Sequence, residues 1–134
     1  MRKILLAYDG SEPARHAADR AAELARALGS QVEVLVVGEL LGSDFGAVQP
    51  REHPEVYEAR AREAEERLLA AGIDPTARVE YGDPADVIVQ QAAEQGADLL
   101  VVGHRGRGGL AQLLLGSVAK RVIDEASCSV LVVR

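Results

Sequence analysis

Gly103 and Gly106, followed after nine intervening residues by Gly116 and Ser117, are the residues whose types and spacing point most directly to chemistry. They follow the apolar run Leu99-Leu100-Val101-Val102 and precede a helical pattern that starts near Val118. Glycine at the carboxyl end of a strand lets bare backbone approach a ligand, because no Cβ intervenes. A helix start beside it offers unpaired N–H groups and the positive end of the helix dipole, both of which favour an anion. Strand end, glycine loop and helix start together describe a phosphate cradle. The spacing fits neither G-x-x-x-x-G-K-[ST], since Gly108 is followed by Gly109, nor G-x-G-x-x-G.

Other residues fall where they could complete such a site. Ser117 either caps the following helix or donates its hydroxyl to a phosphate, alongside the backbone N–H groups of Ser117 and Val118. His104, Arg105 and Arg107 lie inside the loop, either solvated or adding charge-assisted bonds to outer phosphates. Asp9 ends the first apolar run. A carboxylate there can accept from ribose hydroxyls, or it can serve the turn with Gly10. Val37 ends the second run, where its backbone can pair with an adenine edge and its side chain can cover the ring. Nothing assembles a catalytic triad or a metal cage: His16, His53 and His104 are scattered, and Asp83 is better explained as a cap.

The elements that must position these residues are legible as five apolar runs alternating with four helical patterns. Strands are expected at 3–8, 32–37, 76–81, 99–102 and 129–133. A first helix at 11–28 has Ser11 as N-cap, Pro13 in its first turn and Gly29 as its stop. Ala17, Ala21, Leu24, Ala25 and Leu28 make its apolar stripe. A second helix opens at Pro54, carries Tyr57, Ala61, Ala64, Leu68 and Ala71 inward, and ends at Gly72. Gly82-Asp83-Pro84 supplies turn, cap and first-turn proline for a third, which Gly96 stops. The fourth spans 118–126. Residues 38–53 show no period and contain Gly38, Gly42, Gly46 and Pro50, which reads as a long functional or mobile loop. Apolar strands separated by amphipathic helices imply one α/β domain, a doubly wound parallel sheet with helices on both faces. Ligands bind such sheets at the carboxyl ends of the strands, where the winding reverses.

Composition narrows the possible partners. The 134 residues carry 15 Lys and Arg against 21 Asp and Glu, a net charge of −6, which argues against a general nucleic-acid or anionic-membrane surface. Any phosphate site is therefore a local positive spot on an acidic body. With one Phe, three Tyr and no Trp, the core must be aliphatic. Ile4-Leu5-Leu6-Ala7 is too short for a signal-peptide core and no run spans a bilayer, so a cytoplasmic protein is expected. The single cysteine, Cys128, reads as a small core residue. Leu110, Leu113, Leu114 and Leu115 read as a helical turn packed on the domain or as an exposed patch for a partner, with packing preferred. Residues 130–133 suit a sheet edge, and an uncovered apolar edge invites a homodimer.

These residues resemble the universal stress protein family, adenine-nucleotide-binding α/β domains induced by starvation and other insults. The family motif G-x2-G-x9-G-[ST] is met by Gly103, Gly106, Gly116 and Ser117, and the likeness runs the length of the chain. Further points of likeness are the opening strand and turn with Asp9, the Gly82-Asp83-Pro84-Ala85 turn and the apolar ending. The resemblance implies a sheet of order 3-2-1-4-5, Asp9 on the ribose and Val37 on the adenine. It implies phosphates held by Gly103, Gly106, Gly116, Ser117 and Val118, Mg2+ or Mn2+ bridging them, and a dimer through the fifth strand. The intact motif places the chain with the ATP-binding members. The expectation is a dimeric, nucleotide-dependent stress regulator. The alternatives are a slow ATP hydrolase, with His104 the only obvious base, or a scaffold that binds no nucleotide.

Overall fold

The computed structural model describes residues 1–42, 46–107 and 114–134. Its elements are β1 (Lys3–Ala7), α1 (Glu12–Leu28), β2 (Gln31–Gly38), β3 (Leu40–Gly42), β4 (Val48–Pro50), α2 (Pro54–Ala70), β5 (Thr76–Tyr81), α3 (Pro84–Glu94), β6 (Leu99–Gly103), α4 (Ser117–Glu125) and β7 (Ser129–Val133). β5, β2, β1, β6 and β7 form one sheet in that order, and every pairing in it is parallel. Counting only these strands along the chain, the order is the expected 3-2-1-4-5.

Alternation along the strands divides the core in two, because successive side chains point to opposite faces. Ile4, Leu6, Val34, Val36 and Val101 pack with the alanine-rich face of α1 and with Tyr57, Ala61, Ala64 and Leu68 of α2. Leu5, Leu35, Leu100 and Val102 pack with Ile88 and Ala92 of α3 and with Ala119 and Val122 of α4. Small side chains on α1 let the helix lie close to the sheet. Leu28, at its last turn, stands half exposed. Cys128 is half-buried against the second cluster, and burial pushes its thiol up. Among the described residues no helix is long and apolar enough to cross a membrane.

The helix ends follow local chemistry. Ser11 Oγ accepts from Ala14 N at 3.2 Å, and Gly29 closes α1 in the left-handed region at φ +67°. Asp83 accepts from Asp86 N at 3.1 Å to cap α3. Arg121 of α4 then binds Asp83 at 2.8 Å, Glu125 at 3.0 Å and Asp86, tying α4 to the start of α3.

Two expectations change. Residues 38–53 are not a loop throughout: β3 and β4 pair antiparallel, with Leu40 opposite Pro50 and Gly42 opposite Val48. Three-residue strands are too short to show a period. The fourth helix begins at Ser117 rather than Val118, with Gly116 as its N-cap. Ser117 is therefore a first-turn residue, and of the two roles considered for it the cap falls to Gly116.

One part-buried polar link joins the end of β1 to α2. The hydroxyl of Tyr8, a residue only 2% exposed, donates to Glu63, which also accepts from Arg15 Nε at 3.0 Å. Burial, then the bond to Glu63, pushes the Tyr8 phenol well up. The same bond, with help from Arg15, holds the Glu63 carboxyl below its usual range. The depressed Glu63 contributes stability above its unfolded pKa of about 4.3, lost as pH falls through the lower folded value. The raised Tyr8 contributes stability below its unfolded pKa of about 10, lost as pH rises towards the higher folded value. Tyr8→Phe is expected to cost about 1 kcal/mol in urea unfolding near neutral pH. That deficit should shrink on both the acid and the strongly alkaline side, and a deficit independent of pH would contradict the link.

Candidate functional site

At the carboxyl edge of the sheet the chain turns from β1 towards β2 on one side and β6 lies on the other. A cleft of about 380 Å3 opens there. Asp9, Val37, Gly103, Gly106, Gly116, Ser117 and Val118, the seven residues singled out from the sequence, all line it. The turn after β1 delivers Asp9, β2 delivers Val37, the last residue of β6 is Gly103, and the segment after it delivers Gly106. The start of α4 supplies the rest. Its first three N–H groups, of Ser117, Val118 and Ala119, precede the first intrahelical bond, made by Lys120 N to Gly116 O at 3.0 Å.

The glycines have a duty that the spacing did not reveal. A Cβ on Gly103 would lie 2.9 Å from Pro13 Cβ and 3.0 Å from its carbonyl carbon. One on Gly106 would lie 2.7 Å from Asp9 Oδ2, and one on Gly116 would lie 3.0 Å from Arg105 Cα. Their bare backbones are thus occupied first by the protein's own chain. They bring α1, the β1–α1 turn and the α4 start close enough to make one cleft. Gly10, at φ +78°, provides the reversal within that turn.

Asp9 takes the turn role considered for it. Its Oδ1 accepts from Ser11 N at 2.9 Å, fixing the turn, while the residue remains half-buried in the cleft wall. Arg105 also lines the cleft, and its buried Nε has no hydrogen-bond partner among the described residues. Arg107 lines it too, exposed, with Nη1 3.5 Å from the Asp9 carbonyl.

His104 departs from expectation. It is 8% exposed and is not among the residues lining the cleft. Its backbone N–H donates to Val133 O at 2.7 Å, and its carbonyl accepts from Gly116 N at 2.6 Å. It ties β7 to the α4 start, so the sequence's only candidate base does not face the site. Leu114 and Leu115 are exposed rather than packed. Leu110 and Leu113 lie outside the described residues.

Several lining residues escaped sequence reasoning. Tyr57 and Arg60 come from α2, and Arg51 and Glu52 from the segment before it. Arg60 lies over the Tyr57 ring at 5.4 Å. Their i, i+3 spacing was the available signal. Arg51 pairs with Glu39 at 3.0 Å on the same wall. Four arginines against Asp9, Glu39 and Glu52 make the cleft locally positive on an acidic chain.

The universal stress protein family model matches residues 1–134. The chain belongs to that family. Its similarity to a universal stress protein of Thermus aquaticus is 38% identity over 142 residues, covering 99% of this chain and 98% of the relative. Among solved structures it is similar to a universal stress protein in complex with cAMP, at 33% identity and a TM-score of 0.77. That match covers 99% of this chain and 96% of the other. It is also similar to the universal stress protein from Archaeoglobus fulgidus in complex with dAMP, at 26% identity and a TM-score of 0.74. There the coverage is 100% of this chain and 98% of the other. The five-stranded parallel α/β architecture is thus that of the family.

The packing role of the glycines is directly measurable. Gly103→Ala should lower the unfolding free energy by about 1–3 kcal/mol, because backbone atoms of α1 must move. Gly42→Ala, where a Cβ meets nothing within 4 Å among the described residues, should change it far less. Equal effects in denaturant titrations would remove the close-approach argument.

Proposed function

We propose that the cleft binds an adenine nucleotide, ATP with Mg2+ or Mn2+ carried on its phosphates, and that the bound state regulates a homodimer in the stress response. The observation that carries this reading is the convergence of all seven candidate residues on one cleft that ends at the α4 N-terminus. In this reading the N–H groups of Ser117 and Val118 hold a phosphate, with the Arg105 guanidinium beside it. The Asp9 carboxylate receives the ribose hydroxyls. Val37 meets the base, with Leu35 and Ile88 as further apolar lining. The relatives solved with cAMP and with dAMP support an adenine base. Among the described residues no group of three His, Cys, Asp or Glu is placed to hold a metal ion. In this reading a divalent cation enters with the phosphates, which supply its oxygen ligands.

Two edges of the sheet differ in a way that supports the dimer. β5 carries Arg78 and Glu80, charges that discourage strand addition, whereas β7 is Ser-Val-Leu-Val-Val. Val130, Leu131 and Val132 are only half-buried. Sedimentation at micromolar concentration should give twice the chain mass, and a monomer would exclude pairing through β7 under those conditions.

Binding is tested by calorimetric titration of the nucleotide-free protein with ATP and Mg2+. Saturable one-to-one binding is expected, weakened about tenfold or more in Arg105→Ala, since a hydrogen bond to a charged group is worth about 1.5–3 kcal/mol. A folded protein that binds no adenine nucleotide would overturn the reading.

A further inference from the structure

The α2 side of the cleft carries cations that one phosphate at the α4 N-terminus does not use. A point one Cβ out from Gly10 lies 3.3 Å from Arg107 Nη1 and 3.5 and 3.7 Å from Cγ and Cδ of Arg60. Two arginines, one from the loop after β6 and one from α2, thus close over the same turn, immediately after Asp9. Both line the cleft. Among the described residues neither forms an ion pair with a carboxylate. Arg60 instead rests on the ring of buried Tyr57 at 5.4 Å, which orients the guanidinium without neutralising it. Several exposed arginines outside the cleft are matched, Arg15 with Glu63, Arg67 with Asp19, and Arg121 with Asp83, Asp86 and Glu125, so what sets Arg60 and Arg107 apart is that they meet over one turn inside the cleft. Leaving two cations over one backbone turn of an acidic protein is electrostatically unfavourable until an anion joins them.

We infer that Arg60 and Arg107 form a second phosphate subsite, separate from the one at Ser117 and Val118. The inference rests on the adenine-nucleotide reading and adds to it: the preferred ligand carries a phosphate beyond the first. Arginine suits this task because its planar fork can donate two parallel hydrogen bonds to a phosphate. The second group reaches the subsite either along a 5′-polyphosphate chain or as an ester on the ribose 3′-hydroxyl. Both present the same dianionic oxygens to the two guanidiniums.

The test is calorimetric titration of the full, nucleotide-free chain with AMP, ADP, ATP and adenosine 3′,5′-bisphosphate, with and without Mg2+. The wild type is compared with Arg60→Gln, Arg107→Gln and the double variant, and thermal melts verify that each is folded. At least one ligand with a second phosphate should bind about tenfold or more tightly than AMP. The double variant should lose that advantage while its AMP affinity stays within about twofold, and added salt should erode the advantage in the wild type. The favoured ligand identifies the source: ADP or ATP for the chain, the bisphosphate for the ribose ester. Arg107 is exposed, so Arg107→Gln keeps the test open if Arg60→Gln disturbs the Tyr57 contact. Equal affinity for all four ligands overturns the subsite alone, as does an advantage that survives the double substitution or an equal loss of AMP binding. If none of the four binds, the nucleotide reading fails and the subsite falls with it.

Discussion

The absence of a Cβ at Gly103 lets the first turn of α1 press against the end of β6, with Pro13 and Ala14 backbone atoms about 3 Å from where that carbon would stand. The rest of the site depends on this approach. It carries the β1–α1 turn, with Asp9 and Gly10, up to the segment that follows β6. Gly106 then fits against the Asp9 carboxylate, and Gly116 against the Arg105 backbone. Two of these missing side-chain carbons, at Gly103 and Gly106, bring the start of the chain against the segment at the end of β6, and the third closes that segment on the start of α4. Close packing makes such contacts intolerant of even one added carbon. The His104 carbonyl, accepting from Gly116 N, and its N–H, donating to Val133 O, fasten the same region to β7.

Charge gives this assembly a direction. The chain is acidic overall, and several of its exposed arginines are neutralised in pairs such as Arg67 with Asp19, which contribute little individually to stability. The cleft differs because Arg60, Arg105 and Arg107 line it without carboxylate partners among the described residues. A concave positive spot on a negatively charged body attracts small anions while rejecting extended polyanions. That distinction suits a nucleotide better than a nucleic acid. It also explains why the net charge of −6 and a phosphate site are compatible.

The architecture was legible because its signals are local and repeated. Apolar strands alternate with helices whose ends carry Ser11, Gly29 and Asp83, each found making the expected cap. The site was legible where it depends on strand ends, since parallel strands must bring Asp9, Val37 and Gly103 to one edge. What stayed hidden depends on tertiary placement. Nothing in the triplets Leu40-Leu41-Gly42 and Val48-Gln49-Pro50 announces a ribbon. His104 looked like a loop residue because its burial comes from β7, far along the chain. Arg60 read as an ordinary polar position on a helix, since only the fold shows which flank of α2 meets the cleft. The spacing of the glycines marks a ligand's approach, but not the neighbouring chain that already fills their space.

Membership in the universal stress protein family fixes the kind of domain, and the geometry of the cleft supplies the reason to expect a nucleotide in it. The most direct test is an amide proton–nitrogen correlation spectrum recorded while ATP and Mg2+ are added to the nucleotide-free protein. The account predicts that the largest shifts fall on Gly103, Gly106, Ser117 and Val118, with a second group around Val37 and Gly10, and that amides in the amino-terminal halves of the strands hardly move. Saturating nucleotide that leaves the Ser117 and Val118 amides unchanged, or that shifts only residues remote from the cleft, would contradict it.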